Sequence, residues 1–270
     1  MASKERIDIF LKQKGYFSSR NKAQRSIMAG EVYVDDEIVD KPGSKIDVNS
    51  KIEIKGNSLP YVSRGGLKLE KALEVFSVNT VNMIAIDIGA STGGFTDCLL
   101  QNGAKRVYAV DVGYGQLAWK LRNDKKVTVI EKTNFRYMET EQIQELADLI
   151  VIDVSFISLR LIIPKALQFL KENGQIIALI KPQFEAGKAK VKKKGIVKDK
   201  NVHREVLTKL SQFFDQQELR LQDLDFSPIK GASSQNIEYL IHLQKEEYNN
   251  DLFFWGKRIA DVVDKAHQDL

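Results

Sequence analysis

Four residues of this 270-residue chain stand where an apolar segment meets a turn, and each carries a group that holds charge or exchanges a proton. Asp153 closes the run Leu149-Ile150-Val151-Ile152. Lys181 closes Ile176-Ile177-Ala178-Leu179-Ile180, and Pro182 stops the segment there. Glu238 opens the run ahead of Tyr239-Leu240-Ile241, and Lys68 sits between two leucines just after Gly65-Gly66. A lysine accepts protons near neutrality only if its pKa falls toward roughly 7–8, through burial and a cationic neighbour. Two lysines sharing a pocket are expected to depress each other, while two carboxylates keep both from being expelled.

A second constellation precedes them. Ile84-Ala85-Ile86-Asp87-Ile88-Gly89-Ala90-Ser91-Thr92-Gly93-Gly94-Phe95-Thr96 reads as a strand, a glycine-rich turn and a helix start. Small residues let a ligand touch backbone there, and a helix N-terminus offers N–H groups. A dinucleotide site would show G-x-G-x-x-G around a pyrophosphate. Here the spacing is G-x-x-x-G-G behind Asp87, and a carboxylate at such a mouth suits an ammonium or a sulfonium. S-adenosylmethionine carries both. Asp111 ends the next apolar run and is placed to accept from ribose hydroxyls, with Val112 beside it. Asn134 follows the third run and is expected near the adenine end. Cys98 keeps helical spacing with Phe95 and reads as core. His203, at a helix start, reads as structural rather than as a base.

These residues need a frame. Apolar strands are expected at Met83–Ile88, Val107–Val110, Val127–Ile130, Leu149–Ile152, Gln175–Ile180, Leu219–Phe226 and Glu238–His242, mostly separated by helical patterns. That order predicts an α/β domain over residues 64–270, a Rossmann-like, mainly parallel seven-stranded sheet with ligands at its carboxyl edge. Leu252, Trp255, Ile259 and Val263 give a final packed helix. Residues 1–59 read as a separate small α/β domain, with 60–63 as linker. Two helices there end at Gly15 and Gly30, the second capped by Ser18 or Ser19, and strands follow at Glu31–Val34 and Lys51–Lys55.

Charge points to an anionic partner. The formal net charge is +5. Residues 1–30 hold seven basic side chains against Glu5 and Asp8, and Lys188 to Lys200 hold seven lysines answered in sequence by Asp199 alone. With the apolar stripe of the second helix turned inward, Arg20, Lys22 and Arg25 are expected to form an outward basic surface suited to phosphates. One cysteine excludes an internal disulfide and suits a reducing, cytoplasmic setting. No apolar run approaches a membrane span, no secretory signal is read, and no His/Cys cluster suggests a metal.

The run R-I-D-I-F-L-K-Q-K-G-Y-F-S-S-R-N-K-A-Q-R-S-I-M-A-G-E-V-Y-V-D-D, followed by V-D-K-P, resembles the alpha-L RNA-binding module named for the fourth small-subunit ribosomal protein. Asp35-Asp36 stands where members often have Asn-Gly. The larger part resembles the TlyA family of rRNA 2′-O-methyltransferases, whose catalytic domain is FtsJ-like. The carrying motifs are S-R-G-G-L-K-L, D-I-G-A-S-T-G-G-F-T and S-S-x-x-x-E-Y, with Asp153 and Lys181 completing a Lys-Asp-Lys-Glu tetrad.

The resemblance implies an S-adenosylmethionine-dependent methyltransferase acting on a ribose 2′-OH of ribosomal RNA or ribosomal subunits. No membrane and no obligate protein partner are expected. Lys68, Asp153, Lys181 and Glu238 are the expected catalytic residues. Asp87, Gly89, Ala90, Ser91, Thr92, Gly93, Gly94, Phe95, Asp111, Val112, Asn134 and Asp153 are expected at the cofactor. Arg6, Arg20, Lys22, Arg25, Arg64, Lys188, Lys190 and Lys192 are expected at RNA. In this scheme Lys181 accepts or steers the 2′-proton, Lys68 holds the hydroxyl and a phosphate, Asp153 orients Lys181 and Glu238 fixes the lysines. Competing readings are a non-enzymatic ribosome-assembly factor, a base-directed methylase (no N-P-P-Y-type motif follows Asp153), an NAD dehydrogenase, and the membrane-active hemolysin that older naming suggests.

Overall fold

The computed structural model describes residues 4–55, 60–192, 195–231, 235–246 and 250–270, without the side chains of Lys188 and Leu252. The chain divides into two compact units, Met1–Gly66 and Leu67–Leu270.

In the first unit, β1 (Lys4–Arg6) leads into α1 (Ile7–Gln13) and α2 (Arg20–Met28), followed by β2 (Val32–Val34), β3 (Glu37–Ile38), β4 (Lys45–Asp47) and β5 (Ile52–Ile54). Ser19 caps α2, its hydroxyl accepting from the Lys22 amide at 3.2 Å. Ile7, Phe10 and Leu11 of α1 meet Ala23 and Ile27 of α2 and Val32 and Val34 of β2 in one buried cluster. Two small sheets result, β3-β2-β5 and β1-β4, so the described residues of this unit hold three strands more than the two expected. The extra ones are two or three residues long, too short for alternation to reveal.

The second unit is the expected α/β sheet. After α3 (Gly65–Val75), which begins at the unit boundary, come β6 (Ile84–Ile88), α4 (Gly94–Gln101), β7 (Arg106–Val110), α5 (Trp119–Arg122), β8 (Val127–Ile130), β9 (Ala147–Ile152), α6 (Leu159–Ala166) and β10 (Leu170–Ile180). Then follow α7 (Pro182–Glu185), α8 (Lys200–Gln216), β11 (Leu219–Phe226), β12 (Tyr239–Lys245) and α9 (Leu252–Asp269). The strand order is β11-β12-β10-β9-β6-β7-β8. The pairs from β10 to β8 are parallel, whereas β12 runs antiparallel to β10 and to β11. Trp255, Ile259 and Val263 of α9 are buried in the main core.

Register places the ends of the parallel strands side by side. Ile88 pairs with Val110 on one flank and with Ile152 on the other, so Gly89, Asp111 and Asp153 emerge next to one another. Ile180 pairs with Tyr239, which brings Lys181 and Glu238 to the same edge from opposite chain directions. Five strands of this sheet have limits that differ from expectation: β6, β7 and β9 start one or two residues away, and β12 also runs on to Lys245. β10 starts at Leu170 rather than Gln175, across an irregularity in its pairing. The last strand starts one residue after Glu238, which stands at its threshold.

Candidate active site

Asp153 is the centre of the polar cluster. Its Oδ1 lies 2.5 Å from Lys181 Nζ and its Oδ2 3.6 Å from Lys68 Nζ, while Lys68 donates to Glu238 Oε2 at 2.6 Å. The four expected residues therefore form one chain of alternating charge, Lys181–Asp153–Lys68–Glu238. Lys68 and Lys181 are each 8% exposed and Glu238 is 3% exposed. Helix α3 presents Lys68 because Leu69, Ala72 and Leu73 bury its apolar stripe and draw the first turn inward. Gly66 lets the helix begin there: a Cβ at that position would stand 2.3 Å from the Tyr61 ring. Lys181 also donates to Ser155 Oγ at 3.0 Å, a partner not foreseen although it lies two residues from Asp153.

The electrostatics correct one expectation. Burial alone would push Lys68 down, but the Asp153 and Glu238 carboxylates outweigh it and hold the Lys68 ammonium above the ordinary lysine value. Mutual depression of the two lysines does not reach Lys68, because both carboxylates touch it. Burial pushes Asp153 up, yet Lys68 and Lys181 together pull it below the usual carboxylate range. The cluster holds Asp153 ionised and Lys68 cationic.

Beside it opens a cavity of about 450 Å³ at the carboxyl edge of β6, β7 and β9. Gly89, Ser91, Asp111, Val112, Asn134 and Asp153 of the expected cofactor set line it. The rest of the expected cofactor set sits elsewhere. Ala90, Thr92, Gly93, Gly94 and Phe95 are outside the lining and shape the turn from beneath, Phe95 being buried. Asp87 is not at the mouth. It is fully buried, its Oδ2 accepting from the Thr96 amide at 2.9 Å and the Thr96 hydroxyl at 2.7 Å, while Oδ1 has no partner among the described residues. That burial raises Asp87 to about 7, with Thr96 opposing and the Asp153 charge adding to it.

A small-molecule cofactor fits this cradle. Gly89 has φ +89°, and a Cβ there would meet the Asp153 carbonyl oxygen at 2.5 Å, so only glycine closes the turn against the β9 loop. Asp111 is preorganised by the Ser91 amide at 2.7 Å and the Gly113 amide at 2.6 Å. Asn134 accepts from the Arg136 amide at 3.1 Å, which fixes its side chain at the far wall. The volume suits a nucleoside-sized ligand.

Residues 61–245 match the FtsJ-like methyltransferase family, and residues 5–52 match the S4 domain. The chain belongs to the FtsJ-like methyltransferase family. It is 51% identical to YqxC of Bacillus subtilis (strain 168), a provisionally named rRNA methyltransferase, over all of this chain and 96% of that one. It is 37% identical to the Mycobacterium tuberculosis 16S/23S rRNA (cytidine-2′-O)-methyltransferase TlyA, over 98% of each. A solved structure from Streptococcus thermophilus, described as a hemolysin, superposes with a TM-score of 0.78 at 48% identity, covering 100% of this chain and 98% of that one. Among the described residues of this FtsJ-like chain no helix is long and apolar enough to cross a membrane.

The expected RNA-contacting cations are less free than their number suggests. Arg6 and Arg20 both donate to the buried Asp8 carboxylate, Arg20 Nε to Oδ2 at 2.9 Å, and Gln24 joins them at 2.8 Å. Arg64 donates to Asp40 at 2.8 Å. Lys190 pairs with Glu205, and Lys200 with Asp264 at 3.1 Å, so Asp199 is not the sole answer to the lysine block. Lys22 and Arg25 line a shallow hollow with Phe17. Lys192 is exposed, while Lys193, Lys194, Ser233, Ser234 and the side chain of Lys188 lie outside the described residues. His203 is structural: it is buried between Tyr239 OH at 2.7 Å and Val197 O at 2.9 Å, and burial lowers it to about 4.

Proposed function

We propose that the chain transfers a methyl group from S-adenosylmethionine to a ribose 2′-hydroxyl of ribosomal RNA. The observation that carries the reading is the Asp153-centred charge chain at the lip of the Gly89 cavity. S-adenosylmethionine supplies a methyl made electrophilic by its sulfonium. Gly89, Ser91, Asp111, Val112, Asn134 and Asp153 would hold it in the cavity, with Ala90, Thr92, Gly93, Gly94 and Phe95 setting the turn and the buried Asp87 contributing negative potential whenever it is ionised. A 2′-hydroxyl is a weak acid, so its oxygen needs a stabilised approach to the carbon. Lys68, held as an ammonium by two carboxylates, steadies the charge that develops on that oxygen. Lys181 accepts or steers the hydroxyl proton and is aimed by Asp153 and Ser155. Glu238 fixes Lys68. The hydroxyl proton would pass to Lys181 Nζ only after that group had released its own proton to solvent. Holding the hydroxyl in place for an in-line displacement would supply much of the rate.

The S4-type module, residues 1–59, brings the substrate through Arg6, Arg20, Lys22 and Arg25. The stretch 60–63 serves as linker, the domain over 64–270 performs the chemistry, and Arg64, Lys188, Lys190 and Lys192 contribute further phosphate contacts. The setting is the cytoplasm, where ribosomal RNA is found. The test is transfer of labelled methyl to purified ribosomal RNA or subunits. Wild type labels the RNA, and Lys181→Ala and Lys68→Ala each lose about 100-fold or more. Undiminished transfer in both variants overturns the assignment. Bound cofactor with no transfer to any RNA favours an assembly factor instead.

A further inference from the structure

The loop leaving β9 and the segment leaving β10 are fastened together at three successive points. Lys181 meets Asp153 at 2.5 Å and donates to Ser155 at 3.0 Å. The Phe184 ring lies 5.0 Å, centroid to centroid, from the Phe156 ring. Glu185 then closes the seam: its Oε2 accepts from the Ser158 hydroxyl at 2.6 Å and its Oε1 from the Leu159 amide at 2.8 Å. Between the first and third points Phe156 projects, 90% exposed and at φ +65°. A phenylalanine in that region is strained and persists only where its surroundings over-determine it. Phe156 lines both the cofactor cavity and a neighbouring hollow of about 710 Å³ that also holds Arg136 and Gln183.

We infer that Glu185 is a positioning residue for methyl transfer: by capping α6 from α7 it holds the Asp153–Ser158 loop in register with Lys181 and the incoming ribose. Ser158 already caps α6 from within, accepting from the Arg160 amide at 3.2 Å. The helix does not need a second cap from another element merely to end, so the tie between the two loops is what Glu185 adds. The sequence places it four residues beyond Lys181, and one helical turn carries it back over the same loop that Lys181 touches. Removing the carboxylate leaves the lysine and its aspartate present but free to drift, and a shift of about 1 Å at a reacting centre costs on the order of 100-fold.

The inference rests on Lys181 and Asp153 acting at the reacting atoms. Its experiment compares wild type, Glu185→Ala and Glu185→Gln in the full chain, measuring kcat for RNA methylation, the Kd for S-adenosylmethionine, and amide hydrogen exchange over residues 153–161. Glu185→Ala lowers kcat about 10- to 100-fold and speeds exchange in that loop. Its cofactor Kd weakens by less than kcat falls, because Asp111 and Asn134 line the cavity from the segments after β7 and β8, outside the loop that Glu185 fastens. Glu185→Gln, which can still accept from Leu159 and bond to Ser158, recovers most of kcat. A Glu185→Ala kcat within twofold of wild type, or a loss matched by an equal loss of cofactor affinity, overturns the inference. Should wild type itself transfer no methyl, the functional reading fails, and the exchange measurement still decides whether Glu185 fastens the loop.

Discussion

Asp153 stands between two ammonium groups, and its neighbours Lys68 and Glu238 are almost wholly covered. Removing one partner of such a pair leaves a buried charge uncompensated, which typically costs about 3–5 kcal/mol, whereas replacing both with apolar groups is often neutral. Lys68→Met therefore destabilises by about that amount, and Lys68→Met with Glu238→Leu restores most of the melting temperature without restoring methyl transfer. Denaturant unfolding and a methylation assay on the same samples separate the two effects; transfer that returned together with stability would assign Lys68 a structural role only. Asp87 offers a pH test. Its folded pKa, about 7, is above the unfolded value of 3.8, so its contribution to stability is full at low pH and is lost as pH rises through 7. Asp87→Asn carries no such titration. Its melting temperature, relative to wild type, should climb between pH 5.5 and 8, while its affinity for the sulfonium cofactor falls. A constant difference across that range would show that Asp87 does not titrate there.

At the scale of elements, the site is a consequence of strand register. Ile88, Val110 and Ile152 end in line, and the turn after Ile88 has room only for glycine because the Asp153 carbonyl occupies the space of a Cβ. Gly89→Ala should cost about 1–3 kcal/mol and at least tenfold in cofactor affinity, read by calorimetry; unchanged affinity would detach the turn from binding. The sequence made this edge legible because each strand is a buried apolar run ended by a polar residue, and the tetrad fell on those ends. What stayed hidden has physical causes. The strand is expected from Gln175 because Lys171-Glu172-Asn173-Gly174 lacks an apolar run, yet β10 begins at Leu170, which pairs with Ala147. Asp87 looked like a rim residue, since a strand's last polar position usually faces the ligand. The Thr96 hydroxyl and amide instead turn it inward. Ser155 and Glu185 escaped notice because a lone hydroxyl or carboxylate carries no periodicity, and only the fold brings the loop after β9 against Lys181's segment.

Across the molecule, counting charges points to an anionic partner but overstates the free cations. Asp8 was counted as a minor offset to the N-terminal block. In the fold it is buried beneath Arg6 and Arg20 and held ionised by them, which fixes both guanidinium groups while offsetting their charge. Lys22 and Arg25 carry more of the exposed potential. Lys22→Ala and Arg25→Ala should each weaken RNA binding uniformly across sequences and reduce the slope of log K against log salt by about 0.7–1. A salt series with unchanged slopes would move the RNA off that face. The two-part division into an S4 module and an FtsJ-like domain was readable from motif order alone, since each motif names its own unit. The central claim is the atom that receives the methyl. Ribosomal RNA incubated with the protein and isotopically labelled S-adenosylmethionine, digested to nucleosides and analysed by mass spectrometry, reads it directly. The label is predicted in a 2′-O-methylnucleoside, absent with Lys181→Ala; label on a base, or in no nucleoside at all, contradicts the account.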